Sequence, residues 1–359
     1  MNNKEKILKH NNLRKSNFEL LRLVAMFLII CHHLVIRSAQ TCGYTHPFNI
    51  NEDVLGGGGI GLIINSLSIC GVNLFLLISG WFGVKRIWSQ IVRLIVDCVI
   101  YCLIANLLCI FVFGYPFSWH ELFFSCNFLN NWFVTAFIMF LLMIPLVERA
   151  LENIDIKTLG KFIILLTVFN VLFGYCVGVL NTNGYNAINF VYLYVMGRYL
   201  RYCSSYPFYK KWASHGYILW LLCVVPLVIG FLLLTHFVPW RESLSQKYFG
   251  YNNPFVLLSA VGLFLSFSVI QVNNLLINKL AKGVFGVFLL HTTSIFIYYR
   301  VTYIRTLYEE HGYVALFVVA LLIFVIGSFI ALFVENFKSL FVEKIGKLKK
   351  GRRVNSPLE

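Results

Sequence analysis

The stretch Phe18-Glu19-Leu20-Leu21-Arg22-Leu23-Val24-Ala25-Met26-Phe27-Leu28-Ile29-Ile30-Cys31-His32-His33-Leu34-Val35-Ile36 decides the fold. An α-helix needs about 20 predominantly apolar residues to cross the hydrocarbon core of a bilayer, and this run has that length. It follows a basic segment holding Lys4, Lys6, Lys9, Arg14 and Lys15. The rest of the chain repeats the pattern. Of 359 residues, 59% are hydrophobic and 13% charged, where soluble domains carry about 25% charged residues. A mean hydropathy of +0.76 excludes a water-soluble fold.

Ten apolar runs read as spans, over 18–36, 60–83, 90–113, 131–148, 161–180, 187–202, 214–238, 254–276, 283–303 and 313–334. They are continuous rather than alternating with period two, which excludes a β-barrel. The expected fold is an all-α polytopic membrane protein of about ten transmembrane helices. Its 30 Lys and Arg against 15 Asp and Glu give a formal charge of +15. Such an excess suggests nucleic acid or anionic membranes, unless it records topology. With the amino terminus in the cytoplasm, ten crossings leave only Arg37, Arg241, Lys247, Arg300 and Arg305 outside. That bias follows the positive-inside rule, places both termini in the cytoplasm and removes the motive for a nucleic-acid partner.

The first span is expected to be retained: it is too long for a signal peptide and lacks a small-residue cleavage pattern. The ten cysteines include no C-x-x-C pair. Most lie in spans as small hydrophobes, while Cys42 and Cys126 fall outside, where an oxidising compartment allows pairing. The segments 37–59, 114–130 and 239–253 are too short to fold alone. Residues 1–17 form a basic cytoplasmic arm, 18–335 the membrane domain, and 336–359 a basic tail whose Lys338–Arg353 part reads as an amphipathic helix on anionic headgroups.

Ionisable groups within spans are costly and therefore functional candidates. Arg22 and His33 are eleven residues apart, close to three helical turns, so they share one face about 16 Å apart along the axis. Snorkelling is the plain alternative for Arg22, and an interfacial imidazole for the His pair. Adjacent histidines point about 100° apart on a helix, which disfavours a metal site. The second span ends Ser79-Gly80-Trp81-Phe82-Gly83-Val84-Lys85-Arg86, with small residues that permit close helix approach. Arg93 and Asp97 have the spacing of a same-face ion pair. Arg22, Lys85, Arg86 and Arg93 together suggest a basic funnel for a phosphate-bearing ligand, although each also satisfies the positive-inside rule. Asn65, Asn106 and Asn170 read as interhelical hydrogen-bonding residues. His291 lies about one third of the way into the ninth span, and Glu335 at the inner end of the tenth.

These residues together resemble the acyltransferase-3 family of bacterial integral membrane O-acyltransferases that modify surface polysaccharides. The likeness rests on Asn17-x-Glu19-Leu20-Leu21-Arg22 followed by His33, similar to the family's Arg-x10-His signature, and on Phe75-Leu76-Leu77-Ile78-Ser79-Gly80-Trp81-Phe82 with basic residues after it. Trp132-Phe133, Phe288-Leu289-Leu290-His291 and Val334-Glu335 fall where the family has related residues. Phe288 stands for the commoner Tyr, and Asn336-Phe337 for the frequent Pro after the Glu. The family's appended extracytoplasmic hydrolase-like domain is missing, implying a standalone member.

The resemblance implies an acyl-CoA-dependent transferase of the bacterial inner membrane. Acetyl-CoA, the simplest donor, would dock from the cytoplasm with its phosphates on Arg22, Lys85, Arg86 and Arg93, and no metal is implied. His33 would act as general base or accept the acyl group covalently, with Glu19 orienting Arg22. The acceptor would be a surface glycan or lipid-linked oligosaccharide, with Trp132, Trp119, His120, Tyr44 and His32 near it. Two rivals are a secondary transporter or flippase, for which only Pro145 and Pro226 interrupt spans and no repeat is visible, and a structural envelope subunit, which leaves Arg22 and His33 without a task.

Overall fold

In the computed structural model, residues 16–41, 58–114, 116–179, 182–238 and 246–354 are described, and among them the chain is all-helical. The helices are Ser16–Thr41 (α1), Gly58–Ser68 (α2), Gly71–Phe82 (α3), Ile87–Phe113 (α4), Trp119–Cys126 (α5), Trp132–Leu151 (α6), Ile156–Phe169 (α7), Ala187–Cys203 (α8), Tyr209–Ala213 (α9), Gly216–Phe237 (α10), Pro254–Val269 (α11), Leu275–Leu280 (α12), Val284–Thr292 (α13) and Ser294–Val354 (α14). Helices are the expected outcome, because hydrocarbon offers no partner to an unsatisfied backbone group. Among the described residues, eight stretches are long and apolar enough to cross a membrane. Two shorter helices, α8 and α11, occupy the positions of the sixth and eighth expected spans.

Local sequence sets many of the starts. Asn131, Asp155, Asn186, Asn253 and Asn274 each accept backbone N–H groups of the following turn through their side chains, satisfying donors that a helix start leaves open. Pro254 adds the preset backbone angle favoured at the first helical position. The Asp155 carboxyl is held below its ordinary range by its hydrogen bonds with Thr158.

The ninth span requires a correction. The apolar stretch runs Leu275–Thr292 rather than over 283–303. Asn274 starts a helix at Leu275, and Thr293 turns extended at φ −64°, ψ 142°. His291 therefore stands in the last turn before a break, not one third of the way in. The second span is likewise divided at Ile69–Cys70 into α2 and α3, and Trp220 Nε1 donates to the Leu67 carbonyl there at 3.1 Å.

At the centre lies α1, which packs against α2, α3, α11, α12, α13 and α14. Its residues Leu21, Ala25 and Ile30 have no exposed surface. The outer helices show the opposite pattern, with Phe111, Leu146, Val314 and Phe333 largely exposed. Such apolar surface is favourable only against lipid or another apolar partner. In the close packing of α3 on α8, Gly80 lies against the Tyr194 backbone carbonyl and Gly197 against that of Leu77. Gly216 and Gly262 bring α10 and α11 together in the same way.

Asn170 opens a π-helical continuation of α7 and donates to Asn189 of α8 at 3.0 Å. Asn106 donates to the Cys102 carbonyl of its own helix at 2.7 Å. Arg37, Cys42 and Tyr44 lie outside the residues whose side chains are described.

A Cβ at position 80 meets backbone rather than a movable side chain. Gly80→Ala is therefore expected to cost about 1–3 kcal/mol, read as a lower unfolding midpoint in detergent. A stability equal to the parent protein's would contradict the close packing of α3 on α8.

Candidate active site

The two ends of α1 carry different chemistry. At its amino-terminal end, Arg22 Nη1 donates to Glu19 Oε1 at 2.6 Å. The Arg22 guanidinium carbon stands 5.9 Å from the centroid of the Phe82 ring, a cation–π distance. Glu19 is buried, whereas the Arg22 side chain is 28% exposed. The carboxylate thus orients the guanidinium while leaving part of it accessible.

Phe82 ends α3, and the turn after it carries the exposed Lys85 and Arg86. Gly83 has φ 74° and Arg86 φ 54°, both positive, in the four-residue turn between α3 and α4. Two helices brace this turn. The Val84 N–H donates to Tyr194 Oη at 3.2 Å, Tyr194 Oη donates to Glu148 Oε1 at 2.5 Å, and Arg198 Nη2 donates to Glu148 Oε2 at 3.2 Å. Arg201 Nη1 donates to the Trp81 carbonyl at 3.0 Å. In the sequence, Arg198 and Arg201 read only as two more inner-side charges. Their i, i+3 spacing on one helix was the available signal, but their partners Glu148 and Trp81 are distant in sequence.

Arg93 takes a different environment from Lys85 and Arg86. Its Nη2 donates to Glu335 Oε2 at 2.8 Å and its Nε lies 3.6 Å from Asp97 Oδ2. Lys338 Nζ donates to Asp97 Oδ1 at 2.6 Å and also pairs with Glu335. Two cations and two carboxylates thus form a neutral cluster joining α4 to α14. The Arg93 side chain is still 58% exposed.

A cavity of about 530 Å³ opens at this end of the bundle, lined by Asn17, Trp81, Ser204, Tyr209, Lys210 and Gln271 among others. The Trp81 indole N–H is buried without a hydrogen-bond partner. Burial pushes the Tyr209 hydroxyl up to about 12.

Toward the carboxyl-terminal end of α1, the two histidines diverge as helix geometry requires. His32 is buried, with Nδ1 2.6 Å from Asn65 Oδ1 of α2. His33 is half-buried, with Nδ1 3.0 Å from Nε2 of His291. His291 is 1% exposed, and its Nδ1 lies 2.8 Å from the Val287 carbonyl oxygen. Helices 258 residues apart in sequence thus bring two imidazoles together.

A path of aromatic rings leads from this pair to Trp132. His291 packs on Phe288 at 5.8 Å, Phe288 on Phe133 at 5.0 Å, and Phe133 on Trp132 at 5.8 Å. Trp132 is 39% exposed, and Tyr185 and Tyr251 lie against it at 4.8 and 5.9 Å. Trp119 and His120 are exposed on α5 and pack on neighbouring phenylalanines, Trp119 on Phe117 and Phe123 and His120 on Phe124.

The charge cluster yields a stability test. Asp97→Asn leaves Arg93 and Lys338 facing Glu335 alone, and is expected to cost about 3 kcal/mol as a lower unfolding midpoint in detergent. Breaking the exposed Arg149–Glu152 pair by Arg149→Ala should change stability by less than about 1 kcal/mol. Equal effects of the two variants would contradict a cluster built on the buried Asp97 carboxylate.

Comparison with known proteins identifies a family. The acyltransferase-3 family model, described as an acyltransferase domain, matches residues 15–333. No curated protein and no solved structure matches the chain.

Proposed function

The chain belongs to the acyltransferase-3 family, and from that membership we propose that it moves an acetyl group from cytoplasmic acetyl-CoA to a hydroxyl of a cell-surface polysaccharide or lipid-linked glycan. Membership makes it a membrane acyltransferase; the donor, the acceptor, ten crossings with both termini cytoplasmic, and a bacterial inner membrane complete the proposal. The observation that carries it is the arrangement along α1. A partly exposed guanidinium stands near one end and a half-buried imidazole, paired with a second imidazole, lies toward the other.

Phosphate is gripped by the cations. Arg22, held by Glu19 and Phe82, offers a planar fork that suits a phosphate, and Lys85 and Arg86 add charge from the braced turn. Arg93 contributes from the edge of its neutral cluster. The pantetheine arm then runs between helices toward His33, with the thioester near the imidazole. Trp132 and its two tyrosines offer apolar ring faces to a sugar unit, joined to the histidine pair through Phe133 and Phe288. Trp119, His120 and His32 remain candidates for contacts with the acceptor.

At His33, a neutral imidazole takes the proton of the acceptor hydroxyl as its oxygen attacks the thioester carbonyl. The C–S bond breaks, and the departing thiolate receives that proton from the imidazolium. Neither a metal nor an external oxidant takes part in these steps.

The test is CoA release from labelled acetyl-CoA by the purified protein, with transfer of label to a glycan acceptor. His33→Ala is expected to lower kcat by about 10²–10⁴-fold at an unchanged level of membrane-inserted protein. Arg22→Lys should raise the KM for acetyl-CoA by about tenfold or more, because a point charge replaces a bidentate fork. Full transfer by His33→Ala refutes the role of the imidazole, and solute uptake into liposomes without CoA chemistry supports a carrier instead.

A further inference from the structure

The hydrogen bonds around His291 fix which nitrogen of His33 carries a proton. A backbone carbonyl only accepts, so the 2.8 Å contact between His291 Nδ1 and the Val287 oxygen requires a proton on that Nδ1. A neutral imidazole holds one N–H, so His291 Nε2 is then an acceptor. The nitrogen 3.0 Å from it, His33 Nδ1, must be the donor. That leaves His33 Nε2 unprotonated and basic.

We propose that His291 is a positioning residue that holds His33 in its Nδ1-protonated form and thereby makes Nε2 the base for acyl transfer. This assignment rests on the function proposed above and deepens it. The chain Val287 carbonyl, His291, His33 uses one helix to orient a nitrogen on another, as an outer partner orients a metal-bound or catalytic histidine. Burial divides the two roles. His291 is 1% exposed while His33 is half-buried, so His33 is the one of the pair that meets substrate.

The roles also fit the direction of charge. When Nε2 accepts the acceptor hydroxyl's proton, His33 becomes an imidazolium, and its Nδ1–H bond to His291 becomes charge-assisted and stronger. The pair is therefore stabilised most when the hydroxyl oxygen is attacking. On release, Nε2 gives the proton to the departing thiolate of CoA, and the dyad returns to its starting form. The adjacent His32 is oriented through Nδ1 by Asn65 of α2.

Two measurements test the assignment, one of them independent of turnover. In protein labelled with 15N-histidine, the His33 signals, identified by their loss in His33→Ala, should report a proton on Nδ1 and none on Nε2. In His291→Ala the proton should move to Nε2, the form favoured by an unconstrained histidine side chain. A wild-type His33 protonated on Nε2, or a His33 form unchanged by His291→Ala, overturns the proposal.

The second measurement separates kcat from KM. His291→Ala should lower kcat by about 10²–10⁴-fold with the KM for acetyl-CoA changed less than about twofold. His291→Gln, which supplies an acceptor oxygen, should recover at least about tenfold of that loss. A His291→Ala enzyme with parental kcat, or a Gln variant no better than Ala, overturns it. If the wild-type protein releases no CoA from acetyl-CoA, the functional proposal fails while the 15N signals still decide the role of His291.

Discussion

Hydrocarbon offers no water to a polar side chain, so whatever polarity α1 carries into the bundle has to be answered from within the chain. Among the described side chains, its inward-facing polar residues are met by defined partners. Asn17 donates to the Phe267 carbonyl at 2.8 Å, Ser16 Oγ accepts the Asn274 N–H at 3.1 Å, Glu19 holds Arg22, His32 meets Asn65, and His33 meets His291. Several of these contacts fix where another helix sits against α1. The first helix is central because its polar groups require neighbours, and the neighbours it collects supply the site.

Close helix approach makes those contacts possible. Lipid tails are as apolar as the side chains they surround, so helices associate through tight packing and polar contacts rather than through a hydrophobic drive between them. Gly80 against Tyr194 and Gly197 against Leu77 lock α3 to α8. That packing carries Tyr194, Arg198 and Arg201 to the turn bearing Lys85 and Arg86. The basic end of the site thus depends on two glycines that allow α3 and α8 to pack backbone to backbone.

Family membership and geometry constrain different parts of the function. Membership identifies a membrane acyltransferase, and the geometry suggests how the work is divided: cations near one end of α1, paired imidazoles toward the other, and an aromatic path leading away to Trp132. Arg93 groups in the sequence with Lys85 and Arg86 and has the spacing to pair with Asp97; the fold adds Glu335 and Lys338 to that pair, so its first role is to join α4 to α14.

The sequence by itself determined that this chain is a helical membrane protein, where most of the spans lie, and that Arg22 and His33 share a face of the first one. Those properties depend on composition and on the fixed period of a helix, both local. The ninth span follows from its apolar run alone when read in sequence, whereas in the structure the Asn274 side chain starts the helix at Leu275 and shifts that span earlier. Only the tertiary structure decided that His33 pairs with His291, that Glu148 and Tyr194 brace the basic turn, and that Glu335 turns toward Arg93. Each of these joins residues 46 to 258 positions apart. No local period encodes such a pairing, because it follows from which helix faces meet once glycine contacts and buried polar groups have settled the packing.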